Sequence, residues 1–302
     1  MTFTRRTILR GGLAMGAMTA LPRLSFAAQT LEMGSARLDT LSDGNLVLPI
    51  GFVTDNPEAK PILEKYGITG DSVEPPCNVT LYRDGTNTVL FDVGSGNDFM
   101  PSAGKLMEAM DALEVAPDDV THVVFTHGHP DHLWGVLDDF DEPFFANAQH
   151  MMGKDEFEYW LNPETLDTID DGRKTFAAGA LRRLEILEDQ IDTFGDGAEI
   201  LPGIMAQMTP GHTPGHMSFH VKNGNTQAFI IGDAVVNHYL GFAAPGMEAG
   251  SDQNPELGAR TRVALLDQLA TDNLPIIGYH LPEGGLGRVE RDGDAYRYVS
   301  EV

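Results

Sequence analysis

A dense group of metal-binding side chains follows a short apolar run near the middle of the chain. Residues 123–125 are Val-Val-Phe, which predicts a buried strand, and they lead directly into Thr126-His127-Gly128-His129-Pro130-Asp131-His132. Imidazole and carboxylate groups are common ligands of first-row metals. Because alternate side chains of an extended chain point to the same side, His127 and His129 should face one ion. Asp131 and His132 should reach a second ion once the chain bends at Pro130.

Three later segments repeat the arrangement of an apolar strand, a glycine turn and one metal-binding side chain. His212 follows the apolar residues 204–208, Asp233 follows Ile-Ile at residues 230–231, and His280 follows Ile-Ile at residues 276–277. Each segment alone is a weak signal. Four in one chain, all at predicted strand ends, indicate that their side chains converge on a metal centre.

The order of predicted elements indicates two packed β-sheets with helices outside them. Strand patterns cover residues 46–53, 78–82, 88–92, 120–125, 204–208, 217–221, 228–231, 274–278 and 295–299, and helical patterns cover residues 105–113, 156–194 and 257–269. The chain is 42% hydrophobic and 22% charged, which is typical of a globular protein with a sizeable core. No low-complexity linker divides it, so we predict one domain over residues 28–302. Residues 241–255 predict a long loop near the metal centre.

The motif at residues 127–132, followed in order by His212, Asp233 and His280, resembles the metallo-β-lactamase superfamily. The fold of that superfamily is of the α/β class, a four-layer αββα sandwich of two mixed β-sheets flanked by helices. The resemblance implies seven ligands for two divalent metal ions: His127, His129 and His212 for the first, Asp131, His132 and His280 for the second, and Asp233 as the bridge between them. Zinc is the favoured cofactor, although such ligands also accept manganese, iron or cobalt.

A two-metal centre of this kind predicts hydrolysis. Two ions about 3.5–4 Å apart lower the pKa of a shared water, so that a bridging hydroxide exists at neutral pH as the nucleophile. Asp131 is the predicted catalytic residue, since it can orient the hydroxide and carry a proton to the leaving group. The expected substrate is a small ester, lactone or phosphotriester.

Two further segments resemble exported organophosphate hydrolases of the methyl parathion hydrolase type and their lactonase relatives. They are Asp43-Gly44-Asn45-Leu46-Val47-Leu48-Pro49 and His280-Leu281-Pro282-Glu283-Gly284-Gly285-Leu286-Gly287-Arg288. The lactonase pattern is broken at two places, because Val236 stands where a tyrosine is usual and Trp134-Gly135 stands where Gly-Gly is usual. Both places lie near the expected pocket, so the family's substrate is not carried over.

Several residues outside the ligand set receive predicted roles. His238 and Phe242 follow Asp233 on an expected pocket loop and are predicted to contact substrate. His216 is predicted to support the metal ligands by bonding backbone near His212. Asp92 resembles a turn residue that supports the ligand loop, and Cys77 is interpreted as a small buried hydrophobic residue.

The N-terminal 27 residues predict a cleaved export signal of the twin-arginine type. Arg5-Arg6 precedes a short apolar stretch, and Ser25-Phe26-Ala27 has the small residues of a cleavage site. We therefore expect a folded protein exported to the periplasm or secreted. The net charge of −25 disfavours nucleic acid and anionic lipid as partners. No membrane segment is expected in the mature form, so a small molecule is the expected partner, and a homodimer is implied only by the resemblance.

Three alternative functions remain open at this point. A mononuclear iron persulfide dioxygenase shares the fold and much of the motif, although the complete second ligand set argues against it. A true β-lactam hydrolase generally lacks the bridging acid that Asp233 supplies. A non-catalytic metal-binding protein of the periplasm is the third alternative.

Overall fold

A computed structural model describes residues 27–300 of the protein. The predicted export signal, residues 1–27, lies outside the described residues except for Ala27, with which the first strand begins. Among the described residues, no helix combines the length and the hydrophobicity needed to cross a bilayer.

Residues 27–300 form sixteen strands and nine α-helices, besides single turns of 3-10 helix. The strands are β1 (Ala27–Met33), β2 (Ala36–Asn45), β3 (Leu48–Pro49), β4 (Ser72–Val73), β5 (Pro76–Arg83), β6 (Thr88–Phe91), β7 (His122–Phe125), β8 (Gln149–Gly153), β9 (Ile191–Phe194), β10 (Glu199–Leu201), β11 (Ile204–Met208), β12 (Met217–Asn223), β13 (Thr226–Gly232), β14 (Ile276–Gly278), β15 (Leu286–Asp292) and β16 (Ala295–Ser300). The helices are α1 (Ile50–Val53), α2 (Lys60–Lys65), α3 (Leu106–Ala112), α4 (Pro130–Leu133), α5 (Lys154–Leu161), α6 (Thr165–Thr168), α7 (Lys174–Leu187), α8 (Leu240–Ala243) and α9 (Pro255–Asp272).

The strands form two seven-stranded mixed sheets and one short two-stranded antiparallel sheet. The first sheet has the order β1-β2-β5-β6-β7-β8-β9, and its last four strands run parallel to one another. The second sheet has the order β10-β11-β12-β13-β14-β15-β16, in which only the β13–β14 pair is parallel. Strands β3 and β4 pair separately.

The two sheets pack face to face, with helices on their outer faces. The core between the sheets is apolar on both sides and includes Leu38, Tyr82, Phe91 and Val124 from the first sheet and Phe219, Ile230 and Ile277 from the second. Helices α3, α5 and α7 cover the outer face of the first sheet, and α9 covers that of the second. The predicted αββα sandwich is confirmed.

The topology brings the predicted ligand loops to one edge of the sandwich. Strands β11 and β13 run parallel because each is antiparallel to β12, and β14 is parallel to β13. Their carboxyl ends therefore meet at the same edge, where the loops with His212, Asp233 and His280 begin. Strand β7 ends beside them and leads into the 127–132 motif.

Some predicted elements differ from the structure. Residues 46–53, predicted as a strand, contain only the two residues of β3 before the chain turns into α1. Residues 191–194 form an edge strand of the first sheet and not the end of a helix. Strand β2 gave no apolar signal because it carries buried polar residues. Its Asp39, for example, is paired with Arg83 at 2.7 Å.

Candidate metal centre

Three histidine nitrogens face a common point at the first predicted metal position. His127 Nε2 lies 2.9 Å from His129 Nδ1, which in turn lies 2.9 Å from His212 Nε2. All three side chains are buried, and burial together with the neighbouring imidazoles lowers the pKa of His127 and of His129 well below the usual value. These two rings are therefore neutral at pH 7 and direct their lone pairs inwards, as metal binding requires.

Two carboxylates and two histidines face each other at the second predicted position. His280 Nε2 lies 3.2 Å from Asp131 Oδ2 and 3.3 Å from Asp233 Oδ2. His132 Nε2 lies 3.4 Å from Asp131 Oδ2 and 3.5 Å from Asp233 Oδ2. The same oxygen of Asp233 is 3.3 Å from His212 Nε2, so this carboxylate touches both groups of ligands.

Unpaired buried polar atoms show that these groups fit metal ions. Asp131 Oδ2, His132 Nε2 and Asp233 Oδ1 are buried and have no hydrogen-bond partner among residues 27–300. A buried polar atom left without a partner costs about 1–3 kcal/mol, and bound cations would supply the missing partners. Donor atoms of these side chains lie within 4.8 Å of one another in groups such as His127-His129-His212 and His127-His132-Asp233, and their residue types suit divalent metal ions.

Opposite charges balance within the second group of ligands. Burial opposes the charged form of each side chain, but the neighbouring carboxylates outweigh it and raise the pKa of His132 and of His280 well above the usual value. The two histidines in turn hold the pKa of Asp131 and of Asp233 below its usual value. Without metal, the second position is thus a cluster of imidazolium and carboxylate groups.

Each of three ligand histidines is held through its other ring nitrogen. His132 Nδ1 lies 2.8 Å from Asp92 Oδ2, and His280 Nδ1 lies 2.7 Å from the carbonyl oxygen of Pro76. His212 Nδ1 lies 3.2 Å from Asp252 Oδ1. Such partners fix the orientation and tautomer of metal-binding histidines. Asp92 also accepts bonds from the backbone and hydroxyl of Thr126, which agrees with its predicted support of the loop.

Glu156 joins two ligand loops and was missed by the sequence reasoning. Its fully buried carboxylate accepts hydrogen bonds from the backbone N–H groups of Gly128 and Gly215 at 2.9 Å each. It also accepts from the Thr213 hydroxyl and from the indole of Trp160. The available signal was an acid four residues before Trp160, on the face of α5 that also carries this buried ring.

The segment before α9 supports the first ligand group and was only partly anticipated. Besides Asp252, it contributes Gln253, whose side chain lies 3.4 Å from His129 Nε2 and 2.7 Å from the Tyr159 hydroxyl. Arg262 of α9 binds Asp252 at 3.3 Å. These contacts place the predicted long loop beside the centre, although nothing in its local sequence singled out Asp252.

The predictions for His216, His238 and Phe242, which lie outside the ligand set, have different outcomes. His216 Nε2 accepts a bond from the backbone N–H of Asp233 at 2.9 Å, and the His216 carbonyl accepts one from the backbone N–H of Thr209 at 2.8 Å, so His216 joins Asp233 to the loop that carries His212. Phe242 is fully buried in the core between the second sheet and α9, so its predicted contact with substrate is wrong. His238 is half-buried against the rings of Tyr66 and Tyr239, and its contact with substrate stays a prediction.

The seven proposed ligands are almost completely shielded from solvent. His127 and His132 are fully buried, whereas the other five proposed ligands each expose 3–6% of their surface. The ring of Phe176 lies 5.8 Å from that of His129, and Phe99 lies 5.8 Å from Phe176. Both phenylalanines are half-buried, so they form an apolar wall beside His129, the most exposed of the seven proposed ligands.

Comparison with known proteins gives one family and a set of relatives. The sequence profile of the Metallo-beta-lactamase superfamily matches residues 73–299. The N-acyl homoserine lactonase AttM of Agrobacterium fabrum is 30% identical over 48% of this chain and 53% of its own length. AttM of Azorhizobium caulinodans is 32% identical over 46% and 51%. The chain therefore spans about half the length of the curated relatives it matches.

Two solved structures share almost the whole fold. A hydrolase of the beta-lactamase superfamily, AbOPH, superposes with a TM-score of 0.85 at 24% identity, covering 93% of this chain and 99% of the other. AidC, described as a dizinc quorum-quenching lactonase, superposes with a TM-score of 0.85 at 21% identity, covering 92% and 99%. At these identities the superpositions establish the fold alone.

Proposed function

Because this chain belongs to the metallo-beta-lactamase superfamily, we propose that it is a dinuclear metal-dependent hydrolase of a small lactone, ester or phosphotriester. The observation that carries the proposal is the convergence of the seven sequence-predicted ligands into two groups that share the Asp233 carboxylate. His127, His129 and His212 would hold one ion, and Asp131, His132 and His280 the other. When bound, two such ions activate water and polarise the substrate bond that is cleaved.

The protein's own residues bury the proposed centre and hold its groups in place. The fully buried His127 and His132 form its floor, and Asp92, Asp252 and the Pro76 carbonyl prevent three ligand rings from turning. This pre-organisation matters because a hydrolytic site loses rate when its groups must reorient during the reaction.

Asp131 is the group we propose to move the proton. Its Oδ2 atom lies inside the second group of ligands, 3.2 Å from His280 Nε2 and 3.4 Å from His132 Nε2. A carboxylate oxygen in this position can accept a proton from the attacking water and deliver it to the leaving oxygen. The Tyr279 hydroxyl donates to the backbone carbonyl of Asp131 and so holds the segment in place.

Lactones that carry an apolar group are the substrates we propose first. The curated relatives named above are N-acyl homoserine lactonases, and the apolar wall of Phe99 and Phe176 suits an acyl chain or an aryl group. The net charge of −25 disfavours polyanionic substrates. Small esters and phosphotriesters remain in the proposal because the same centre suits both reactions.

The direct test is a substrate panel on protein of known metal content. We expect about two ions per chain and turnover of at least one lactone, ester or phosphotriester. Asp131→Asn should lose at least the ~100-fold that a proton-transfer group contributes, whereas the exposed Asp189→Asn should not. Full activity in Asp131→Asn would overturn the role of Asp131. One iron per chain with consumption of oxygen would favour the persulfide dioxygenase alternative.

We also propose that the protein is exported by the twin-arginine route. The support is the sequence of residues 1–27 alone. The protein should be recovered from the periplasm or medium with a new N-terminus at Ala28, and replacement of Arg5 and Arg6 by lysine should retain it in the cytoplasm. Export of that double variant would contradict the proposal.

A further inference from the structure

The chain's single cysteine lies beside the second group of metal ligands. Cys77 is in β5, is fully buried, and follows Pro76, whose carbonyl oxygen accepts a bond from His280 Nδ1. This bond leaves His280 Nε2 facing Asp131 and Asp233. The sequence suggested only a small buried hydrophobic residue at position 77, but the fold places its thiol next to a proposed metal position.

The donor atoms of three side chains are close enough to share one ion. The sulfur of Cys77, a carboxylate oxygen of Asp131 and a ring nitrogen of His280 all lie within 4.8 Å of one another. Ligand atoms bound to one zinc ion at about 2.0–2.3 Å are separated by at most roughly 4.6 Å. Small side-chain adjustments therefore suffice for all three to bind the same cation.

A second observation points to a cation at the same place. Asp131 exposes only 5% of its surface, and its Oδ2 atom has no hydrogen-bond partner among residues 27–300. In the metal-free protein His280 Nε2 and His132 Nε2 face this oxygen at 3.2 and 3.4 Å and balance its charge, whereas the thiol adds little because S–H is only a weak donor. A bound cation would satisfy the carboxylate oxygen, the imidazole nitrogen and the sulfur together.

We propose that Cys77 supplies a sulfur ligand to the second metal ion and thereby makes that position selective for zinc over manganese. The inference rests on the proposed two-metal function. Binding exchanges the S–H proton, which leaves to solvent, for an S–metal bond, and no electron is transferred. Thiolate ligands favour zinc and other soft cations, whereas manganese prefers oxygen ligands.

Cobalt substitution tests the sulfur ligand directly. Cobalt(II) bound to a thiolate gives an intense near-ultraviolet charge-transfer band, and Cys77 is the only residue of this chain that can produce one. The protein loaded with two cobalt ions should show the band, and Cys77→Ser should lose it while still binding two. Val79→Ala, on the same buried face of β5, is the matched control and should retain the band.

If Cys77→Ser fails to fold, the competition between zinc and manganese for the protein can be measured in a second variant. In Cys77→Ala the preference for zinc over manganese should fall by at least the ~10-fold that loss of a supporting group costs a metal site. Two bound cobalt ions without the band, or an unchanged preference in Cys77→Ala, would overturn the sulfur ligand and leave the proposed hydrolase intact. Failure of the wild-type protein to bind a second ion would overturn both.

Discussion

Replacing Asp252 by asparagine tests whether the segment before α9 holds the first ligand group. One oxygen of Asp252 faces His212 Nδ1 at 3.2 Å and the other faces Arg262 at 3.3 Å. Both side chains of the Asp252–Arg262 pair are almost fully buried. Asparagine can offer its oxygen to only one of the two donors, and its NH₂ group then faces the other.

The expected loss of stability or metal affinity follows from the one hydrogen bond that Asp252→Asn cannot make. Arg262 also donates to the carbonyl oxygens of Pro245 and Met247 at 3.1 Å each, so its charge keeps two acceptors. A buried donor left unpaired costs about 1–3 kcal/mol. Where the loss falls on His212, metal affinity should drop by about 10–100-fold. This corresponds to about 1.4–2.7 kcal/mol, in the same range.

The assay is a zinc titration against a chromophoric chelator, with Glu248→Gln as the control. Glu248 is exposed in the same loop, so its replacement makes the same charge change without touching a ligand. We expect weaker binding of one of the two ions in Asp252→Asn and two unchanged affinities in Glu248→Gln. If Asp252→Asn binds both ions as tightly as the control, Asp252 does not hold His212 and the reasoning is refuted.

Three more predictions concern stability, protons and the apolar wall. Glu156→Gln should lower the free energy of unfolding by about 2–4 kcal/mol, measured by urea denaturation. The reason is that a buried carboxylate with four hydrogen-bond donors loses its charge. A loss of stability no larger than that of an exposed Glu→Gln control would contradict this. In the metal-free protein the raised pKa of His132 and of His280 keeps both protonated at pH 7, so filling the second position should release about two protons from these histidines, besides the one from Cys77 if its sulfur binds, and should weaken as the pH falls. Proton release is measured by calorimetry in buffers of different ionisation enthalpy. An observed binding enthalpy that does not change with the buffer would mean that no protons are released, which would contradict the charges described. Phe176→Ala should raise KM for apolar acyl substrates more than for short ones, and an equal change for both would remove Phe176 from the substrate site.

The convergence of the seven proposed ligands could be predicted from the sequence because each one belongs to a local pattern. His127, His212, Asp233 and His280 come directly after apolar strands or their glycine turns, and such strands end at a common edge of a sandwich. The residue types then identified metal chemistry without any knowledge of distances. The αββα architecture followed from the same alternation of strands and helices and from the resemblance of the motifs.

The groups that hold the ligands could not be predicted in the same way. Glu156 and Asp252 act on loops that are 28 and 40 residues away in sequence, and their role depends on burial that only the folded chain reveals. Phe242 follows the bridging acid closely, yet its helix turns the ring into the core. Strand β2 escaped notice because its buried Asp39 is neutralised by arginines from β2 and β5, a compensation invisible to hydrophobic periodicity.

Anomalous diffraction at the zinc edge from crystals of the zinc-loaded protein tests the central claim most directly. Two peaks about 3.5–4 Å apart are expected, one between His127, His129 and His212 and the other beside Asp131, His132 and His280, with Asp233 touching both. A single peak, or two peaks that do not share Asp233, would contradict the dinuclear centre on which the proposed hydrolysis depends.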